Sequence, residues 1–491
     1  MTTLKRVRSV GVWVAAPLVL VWIGATVAFG EPQRGQPSAP SNSSAEGSQT
    51  APAPQDYRCE CQDDPSARLD EDDEDKGLAP AEDRRVTPGK KLGADGGDAQ
   101  RRRLNEIASR KVFFGNLHSH TKYSDGDGFP EDAFAHARAQ GKLDFLAVTP
   151  HNHRHANRFP QFGIAHHNDR YEGPRQNALI PAANRLTLDD EFVALYGQEF
   201  SSISRGNHLC IFDVPRVVRT NDVANGRFDT LINDWLPSHL DSSGDLALVQ
   251  LNHPWNGSCP NNIEYGRDDF PSFEEWRENL DKHASLIEVI NGPSHDDAEG
   301  VKPRTINAGE FRRYLNLGFH LAPTANQDNH HRTWGTITDA RTAVVATRLT
   351  KTDLLNAMRK RHVYASLDKN LRIVAQVEGE LLGSILANPI AHAQELQIEI
   401  AINDDDEPAE SYWVEVFADK EIDGESDDIR AKEVATFGPL TTSALAGESN
   451  TWELTGLEYD GWDYLYFRVL AGPTLQQAKK RAWTAPVWFA N

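Results

Sequence analysis

The sequence predicts an α/β fold followed by an all-β domain, and two patterns carry this prediction. Between residues 104 and 368, short apolar runs alternate with segments that carry helix start and stop signals, which is typical of βαβ units and a parallel sheet. From residue 370 to 491 only alternating strands and turn residues remain, which is typical of a β-sandwich. The change of pattern also predicts that residues 104–368 fold without the second domain.

The balance of charges excludes some classes of partner. The 491 residues carry a formal net charge of −21, and phosphates would be repelled over most of such a surface. We therefore expect no nucleic-acid partner and no attraction to anionic lipid. The sequence makes no prediction of oligomeric state.

The first hundred residues read as export and linker segments. Residues 1–30 have a basic start and an apolar stretch from 10 to 29, which predicts a signal peptide and a periplasmic or extracellular protein. An uncleaved membrane anchor formed by residues 10–29 remains the alternative, whereas a cleaved signal would leave no stable membrane insertion. Residues 31–103 contain few bulky apolar residues, which predicts a disordered low-complexity linker.

The first predicted strand, residues 111–117, ends in His118 and His120. Residues i and i+2 of a strand point to the same side, so these two imidazoles can face one ion, and Asp125 follows on the next turn. A helix is predicted from Pro130 to Gln140, because proline and acidic residues begin it and glycine follows it.

The same alternation continues to the end of the first domain. Histidines and carboxylates lie at the ends of its apolar runs, and these runs are residues 144–149, 192–199, 207–213, 246–253, 286–291, 319–330 and 343–347. A capping box at Thr350 then predicts a last helix, residues 354–361.

Parallel strands bring their carboxyl ends to one face of an α/β barrel, so ligand-type residues at those ends are expected to converge. Imidazole and carboxylate together form a donor set for divalent transition metals. The candidate ligands are His118, His120, Asp125, His151, Glu199, His208, His253, Asp328 and His330.

This series of motifs resembles the PHP (polymerase and histidinol phosphatase) family of metallo-hydrolases, in particular an exported branch that includes carbamate-ester hydrolases. The resemblance implies a distorted (β/α)7 TIM-like barrel with two or three divalent ions. It implies a first ion on His118, His120, Glu199 and Asp328, a second on Glu199, His208 and His253, and a third on Asp125, His151 and His330. Two positions depart from the family pattern, namely Pro150, where the family usually has aspartate, and the segment Asn326–His330.

These residues predict a metal-dependent hydrolase that takes a small-molecule ester, most readily a phosphate ester. Glu199 and Asp328 are the predicted catalytic residues, with Zn, Mn or Fe as the metal. Cations beside the ligand motifs are predicted to bind the substrate, and they are Lys122, Arg154, Arg205 and Arg332. Carbamate or carboxylic ester hydrolysis, and a non-catalytic cell-surface binding protein, remain the alternatives.

Overall fold

The computed structural model describes residues 85–92, 98–152, 164, 168–174, 176–201, 207–219, 221–224, 226–254, 264–296, 298, 305–419, 432–443 and 450–490. The chain divides into two compact units, Met1–Asp56 and Tyr57–Asn491, and every described residue belongs to the second. The predicted export segment and most of the predicted linker lie outside the described residues. Among the helices that are described, none combines the length and the apolar character needed to cross a membrane.

The first part of the described chain alternates strands with helices. Its strands are β1 (Val86–Thr87), β2 (Lys90–Lys91), β3 (Lys111–Asn116), β4 (Phe145–Val148), β5 (Val193–Phe200), β6 (Leu209–Phe212), β7 (Leu248–Leu251), β8 (Ala284–Asn291), β9 (Thr305–Ile306), β10 (Ala322–Ala325), β11 (Arg341–Ala346) and β12 (Val363–Ser366). Its helices are α1 (Asp98–Ser109), α2 (Pro130–Ala139), α3 (Asn168–Tyr171), α4 (Leu179–Leu186), α5 (Phe228–Thr230), α6 (Leu236–Ser238), α7 (Phe273–Asp281), α8 (Ala308–Asn316) and α9 (Lys351–Arg359). A π-helical turn (Leu231–Trp235) joins α5 to α6, and a 3-10 segment (Glu264–Asp269) precedes α7.

Helix α2 begins at Pro130 as predicted, whereas α9 begins at Lys351, directly after the predicted cap Thr350 and before the predicted first residue 354. Pro130 opens α2, and the Asp132 carboxylate accepts a hydrogen bond from the Phe129 N–H at 3.0 Å. The Thr350 hydroxyl accepts the Asp353 N–H at 3.1 Å and caps α9. Both contacts satisfy an amide that the first helical turn leaves without a backbone partner.

The strand pairings confirm the mixed α/β class. Strands β3, β4 and β5 pair in parallel, as do β7, β8 and β10, while β6 runs antiparallel to both β5 and β7. A parallel bridge between Ser119 and Asn329 joins the carboxyl end of β10 to that of β3. The pairings thus return to their starting strand, but the antiparallel β6 departs from a regular repeat of seven βα units.

The second part of the chain is built from strands, as predicted. They are β13 (Arg372–Val377), β14 (Glu380–Leu381), β15 (Ile385–Leu386), β16 (Ile398–Asn403), β17 (Ser411–Asp419), β18 (Lys432–Thr441), β19 (Thr451–Leu454), β20 (Tyr464–Ala471), β21 (Lys479–Thr484) and β22 (Val487–Phe489), with one 3-10 turn at Leu475–Gln477. One sheet is five-stranded and antiparallel in the order β14-β13-β16-β19-β2. The other contains β17, β18, β20 and β21, and it joins the first part through antiparallel pairing of β12 with β21.

Two strands and the start of one helix lie inside the segment that the sequence predicts to be a disordered linker. Strand β1 pairs with β18 and strand β2 pairs with β19, although both short strands lie inside the predicted linker. Helix α1 also starts at Asp98, before residue 104. Strands β1 and β2 are too short to bury a face alone, so they depend on pairing with strands that are distant in sequence.

The two parts share one hydrophobic core. Phe311 of α8 packs in the same cluster as Phe417 and Tyr466 of the β-domain, and the Phe311 and Tyr466 ring centroids are 5.4 Å apart. His320 contacts the Trp488 ring at a centroid distance of 5.0 Å. This continuity argues against the expectation that residues 104–368 fold independently.

Candidate metal centre

All nine predicted ligands lie at one edge of the strands that pair from β3 to β10. Most of them follow the carboxyl end of a strand, as His118, His151 and Asp328 do. His208 precedes β6, and because β6 is antiparallel, its amino end lies at the same edge as the carboxyl ends of its neighbours. The edge therefore collects residues that are far apart in sequence.

His118, His120 and Asp328 form the tightest group. The Nε2 atoms of His118 and His120 are 3.2 Å apart, and Asp328 Oδ1 lies 3.2 Å from the first and 3.1 Å from the second. Glu199 closes the group, with Oε1 3.2 Å from His118 Nε2 and Oε2 3.5 Å from His120 Nε2. Ligands held about 2.0–2.1 Å from one tetrahedral ion are about 3.3–3.4 Å from each other, so this spacing fits a single ion.

Glu199 Oε1 also faces a second pair of histidines. It lies 3.0 Å from His208 Nδ1 and 3.4 Å from His253 Nε2. The Asn252 amide donates a hydrogen bond to the same oxygen at 3.0 Å, which fixes the direction of the carboxylate. Glu199 is thus the residue that the two groups have in common.

Asp125 holds the third pair. Its Oδ2 is 3.4 Å from His151 Nε2 and its Oδ1 is 3.5 Å from His330 Nε2. The groups are not strictly separate, since His120 also comes close enough to Asp125, His151 and His330 to share an ion with them. His151 likewise approaches Glu199 and His208.

Among the buried carboxylate oxygens that lack a hydrogen-bond partner in the described part of the chain, two belong to this site. They are Asp125 Oδ1 and Glu199 Oε2. His151 Nδ1 lies only 2.7 Å from Glu199 Oε2, but without the alignment of a hydrogen bond. An unsatisfied buried acceptor is costly, and a divalent ion would satisfy both oxygens, so the residues present fit a metal cluster.

The cluster is buried on one side and open on the other. His118, His120 and Glu199 are inaccessible to solvent. The side chains of Asp125, His208, His253 and Asp328 retain 13–17% of their accessible surface. Among the nine predicted ligands these four side chains are the most accessible, so they mark the side of the cluster that a substrate can reach.

Opposite charges shift the pKa values of this site in opposite directions. Burial raises the pKa of each carboxyl group, but the neighbouring histidines outweigh it, so the pKa values of Asp125, Glu199 and Asp328 lie well below their usual range. Burial lowers the pKa of His118 and His151, yet the carboxylates around them raise both well above 6.5. These carboxylates are consequently ionised at neutral pH, as metal ligands must be.

His120 differs from the histidines beside it. Burial, together with the charges of His330 and His151, lowers its pKa to about 3. Burial also lowers the pKa of His208, whereas Asp125 raises that of His330 despite burial. His120 and His208 are therefore neutral at physiological pH, which is the form that binds a metal ion.

Several of the histidines bond to the protein through Nδ1 and face the cluster with Nε2. His118 Nδ1 bonds to Glu288 at 2.9 Å, His120 Nδ1 to Ser124 at 3.1 Å and His151 Nδ1 to Ser201 at 2.5 Å. Such partners fix the ring orientation of a metal ligand. The sequence analysis missed them, although a glutamate in the middle of the apolar strand β8 is a visible signal for Glu288.

The backbone of two predicted ligands is in the left-handed region. His253 has φ 30° and Asp328 has φ 48°. Residues other than glycine adopt this conformation at a cost that the surrounding contacts must offset.

The predicted substrate-binding cations that the structure describes contact residues away from the metal cluster. Lys122 is exposed, with Nζ 5.9 Å from the centroid of the Phe129 ring. Arg332 donates a hydrogen bond to Asp132 at 3.3 Å. Arg154 and Arg205 lie outside the described residues, so two of the four predictions stay open and the other two have partners away from the cluster.

The pKa shifts predict how pH affects the metal-free protein. The raised pKa values of His118, His151 and His330 give stability that is full below about pH 6.5, the unfolded-state value, and is lost as the pH rises through the folded-state values. Bound ions replace these protons, so the melting-temperature gain from metal should grow as the pH rises above about 6.5. Thermal unfolding with and without chelator across this range measures the gain, and a constant or shrinking gain would contradict the prediction.

No protein-family model and no curated protein sequence matches the chain. It is similar to the crystal structure of a two-domain protein from Bacteroides vulgatus that contains a predicted PHP-like metal-dependent phosphoesterase. The match covers 82% of this chain and 99% of that one, at 14% identity and a TM-score of 0.37. A structural similarity this weak gives no information about the function of the chain.

Proposed function

We propose that the protein is an exported metal-dependent hydrolase on a distorted (β/α)7 barrel, and that phosphate esters are its substrates. One observation carries the proposal. Ligand-type atoms from six separate strand ends meet at 3.0–3.5 Å, and two of the buried oxygens among them have no hydrogen-bond partner. This arrangement serves metal binding better than it serves stability of the metal-free chain.

The grouping of contacts supports three ion positions. His118, His120, Glu199 and Asp328 would hold the first, Glu199, His208 and His253 the second, and Asp125, His151 and His330 the third. When bound, divalent ions such as Zn, Mn or Fe lower the pKa of water towards neutrality and neutralise charge on phosphoryl oxygens.

In this proposal the protein's own residues fix the geometry of the site and line the entrance for the substrate. Glu199 holds its negative charge in the buried floor of the site and Asp328 holds its own at the open side, and together they keep the reacting groups in a fixed geometry. His208 and His253 line the open side, where the ester would enter. The net charge of −21 repels anions, so a phosphate ester needs the positive charge that the ions supply.

One contact favours the alternative substrate, an uncharged carbamate or carboxylic ester. Arg332, which the sequence analysis assigned to phosphate binding, is held by Asp132 on α2. The same metal site would then polarise a carbonyl group.

A hydrolysis panel with metal-loaded protein decides between these substrates. We expect a phosphomonoester or phosphodiester to be cleaved at least about tenfold faster, in kcat/KM, than an aryl carbamate, which corresponds to about 1.4 kcal/mol of additional transition-state stabilisation. Preference for the carbamate would select the alternative. Bound metal without hydrolysis of any ester would instead support a non-catalytic binding protein, and absence of bound metal would refute the proposal.

A further inference from the structure

The carboxylate of Glu288 lies directly behind the candidate metal centre. Glu288 is in the middle of β8, and its side chain is fully buried. Its neighbours on the strand, Ile287 and Val289, are apolar. A charged group at such a position is costly unless hydrogen bonds compensate for the lost water.

Five donors surround this carboxylate. Oε1 accepts from His118 Nδ1 at 2.9 Å, Asn326 Nδ2 at 3.1 Å and Gln250 Nε2 at 3.4 Å, and Oε2 accepts from the His253 backbone N–H at 2.7 Å and Asn291 Nδ2 at 2.9 Å. Its only ion-pair partner among the described residues is His118. An environment made solely of donors requires an acceptor on both oxygens, which a carboxylate provides and an amide does not.

The two carboxylate oxygens of Glu288 bond to proposed ligands of two different ions. The bond that Oε1 accepts keeps a proton of His118 on Nδ1, so that Nε2, which faces His120 and Asp328, is the nitrogen left to bind an ion. The bond from Oε2 holds the backbone of His253, whose φ of 30° is otherwise unfavourable. One side chain thus sets the tautomer of the first ligand and the backbone conformation of the second.

We propose that Glu288 is a positioning residue that couples the first and second metal positions by orienting His118 and His253 together. The inference rests on the proposed function, because it takes both histidines as metal ligands. Glu288 itself contacts neither the ions nor the substrate in this proposal. Replacing it should therefore weaken metal binding even though every ligand is still present.

The test is Glu288→Gln, which keeps the size of the side chain but places an NH2 group against either His118 or the His253 N–H. Metal affinity is measured without substrate, by dialysis against graded chelator and metal analysis. We expect it to fall about 10–100-fold, as for other partners of metal-bound histidines. A kinetic readout accompanies it, in which excess metal restores much of the lost kcat.

Thr324→Val is the matched control. The Thr324 hydroxyl is equally buried and bonds to Gln250 Oε1 at 3.0 Å and Asn326 Nδ2 at 3.2 Å, but to neither Glu288 nor a predicted ligand. It should disturb the same polar network and lower the melting temperature while leaving metal affinity near that of the wild type.

The outcomes separate this inference from the proposed function. Weaker metal binding in Glu288→Gln but not in Thr324→Val supports the inference. Equal affinity in Glu288→Gln and wild type, or an equal loss in both variants, overturns it while the metal site stands. Wild-type protein that binds no metal overturns both, whereas metal binding without hydrolysis refutes only the hydrolase proposal.

Discussion

Glu199→Ala is expected to reduce hydrolysis by at least about three orders of magnitude, as the loss of a group essential to forming the nucleophile does in other enzymes. Glu199 contacts His118, His208 and His253 through one oxygen and His120 through the other, so it would serve the first and second ions together. Its removal should therefore lower bound metal by more than one equivalent. Metal analysis and kcat/KM on the preferred ester measure the two effects.

His330→Ala is the matched comparison for that variant. His330 belongs to the third group, where its Nε2 faces Asp125 Oδ1 at 3.5 Å. We expect it to lose no more than one equivalent of metal, with a partial defect of about 10–100-fold, typical of weakened metal affinity. Equal metal content in wild type and Glu199→Ala would contradict the shared carboxylate, whatever happens to activity.

A chain that ends at Asp368 is expected to be insoluble or to lack a cooperative thermal transition. The truncation removes β21, which pairs with β12, and it exposes Phe311 of the shared core. It also removes Tyr464, whose hydroxyl bonds to the buried Asn316 side chain of α8. Exposed core surface of this kind drives aggregation rather than folding.

Solubility, calorimetry and binding of a hydrophobic dye measure the effect of the truncation at Asp368. The full chain with Ile385→Ala is the control, because Ile385 belongs to the β-domain but is half exposed and outside the shared core. A soluble truncated chain that melts cooperatively and binds metal would restore the view that residues 104–368 form an independent domain.

The expectation that residues 104–368 fold alone rests on composition, which does not report packing between the two parts of the chain. Composition changes near Asp368, between the end of α9 at Arg359 and the start of β13 at Arg372. Packing between the two parts is not visible in composition, because an apolar residue that faces its own sheet cannot be distinguished in sequence from one that faces another domain. The clustering of Phe311 with Phe417 and Tyr466 depends on contacts between residues more than a hundred positions apart, so a local pattern could not show it.

The strands in the predicted linker illustrate the same point. Strands β1 and β2 are two residues long each, and Lys90 of β2 donates a hydrogen bond to Glu453, which is 363 positions away in the sequence. Strand pairing at such a distance leaves no periodicity in the sequence of the shorter partner.

The sequence by itself determined the order of the strands in the first part and the set of candidate ligands at their ends. Both depend on local chemistry, because apolar runs predict buried strands and the residues that follow them must occupy the strand ends. Only the tertiary structure decided how these side chains are grouped, that His120 and His151 lie between groups, and that Glu288 supports the centre from behind. His118 and Glu288 are 170 positions apart in sequence, so their contact forms only when the fold brings β3 and β8 together. The role of the buried Glu288 carboxylate then depends on the donors that surround it.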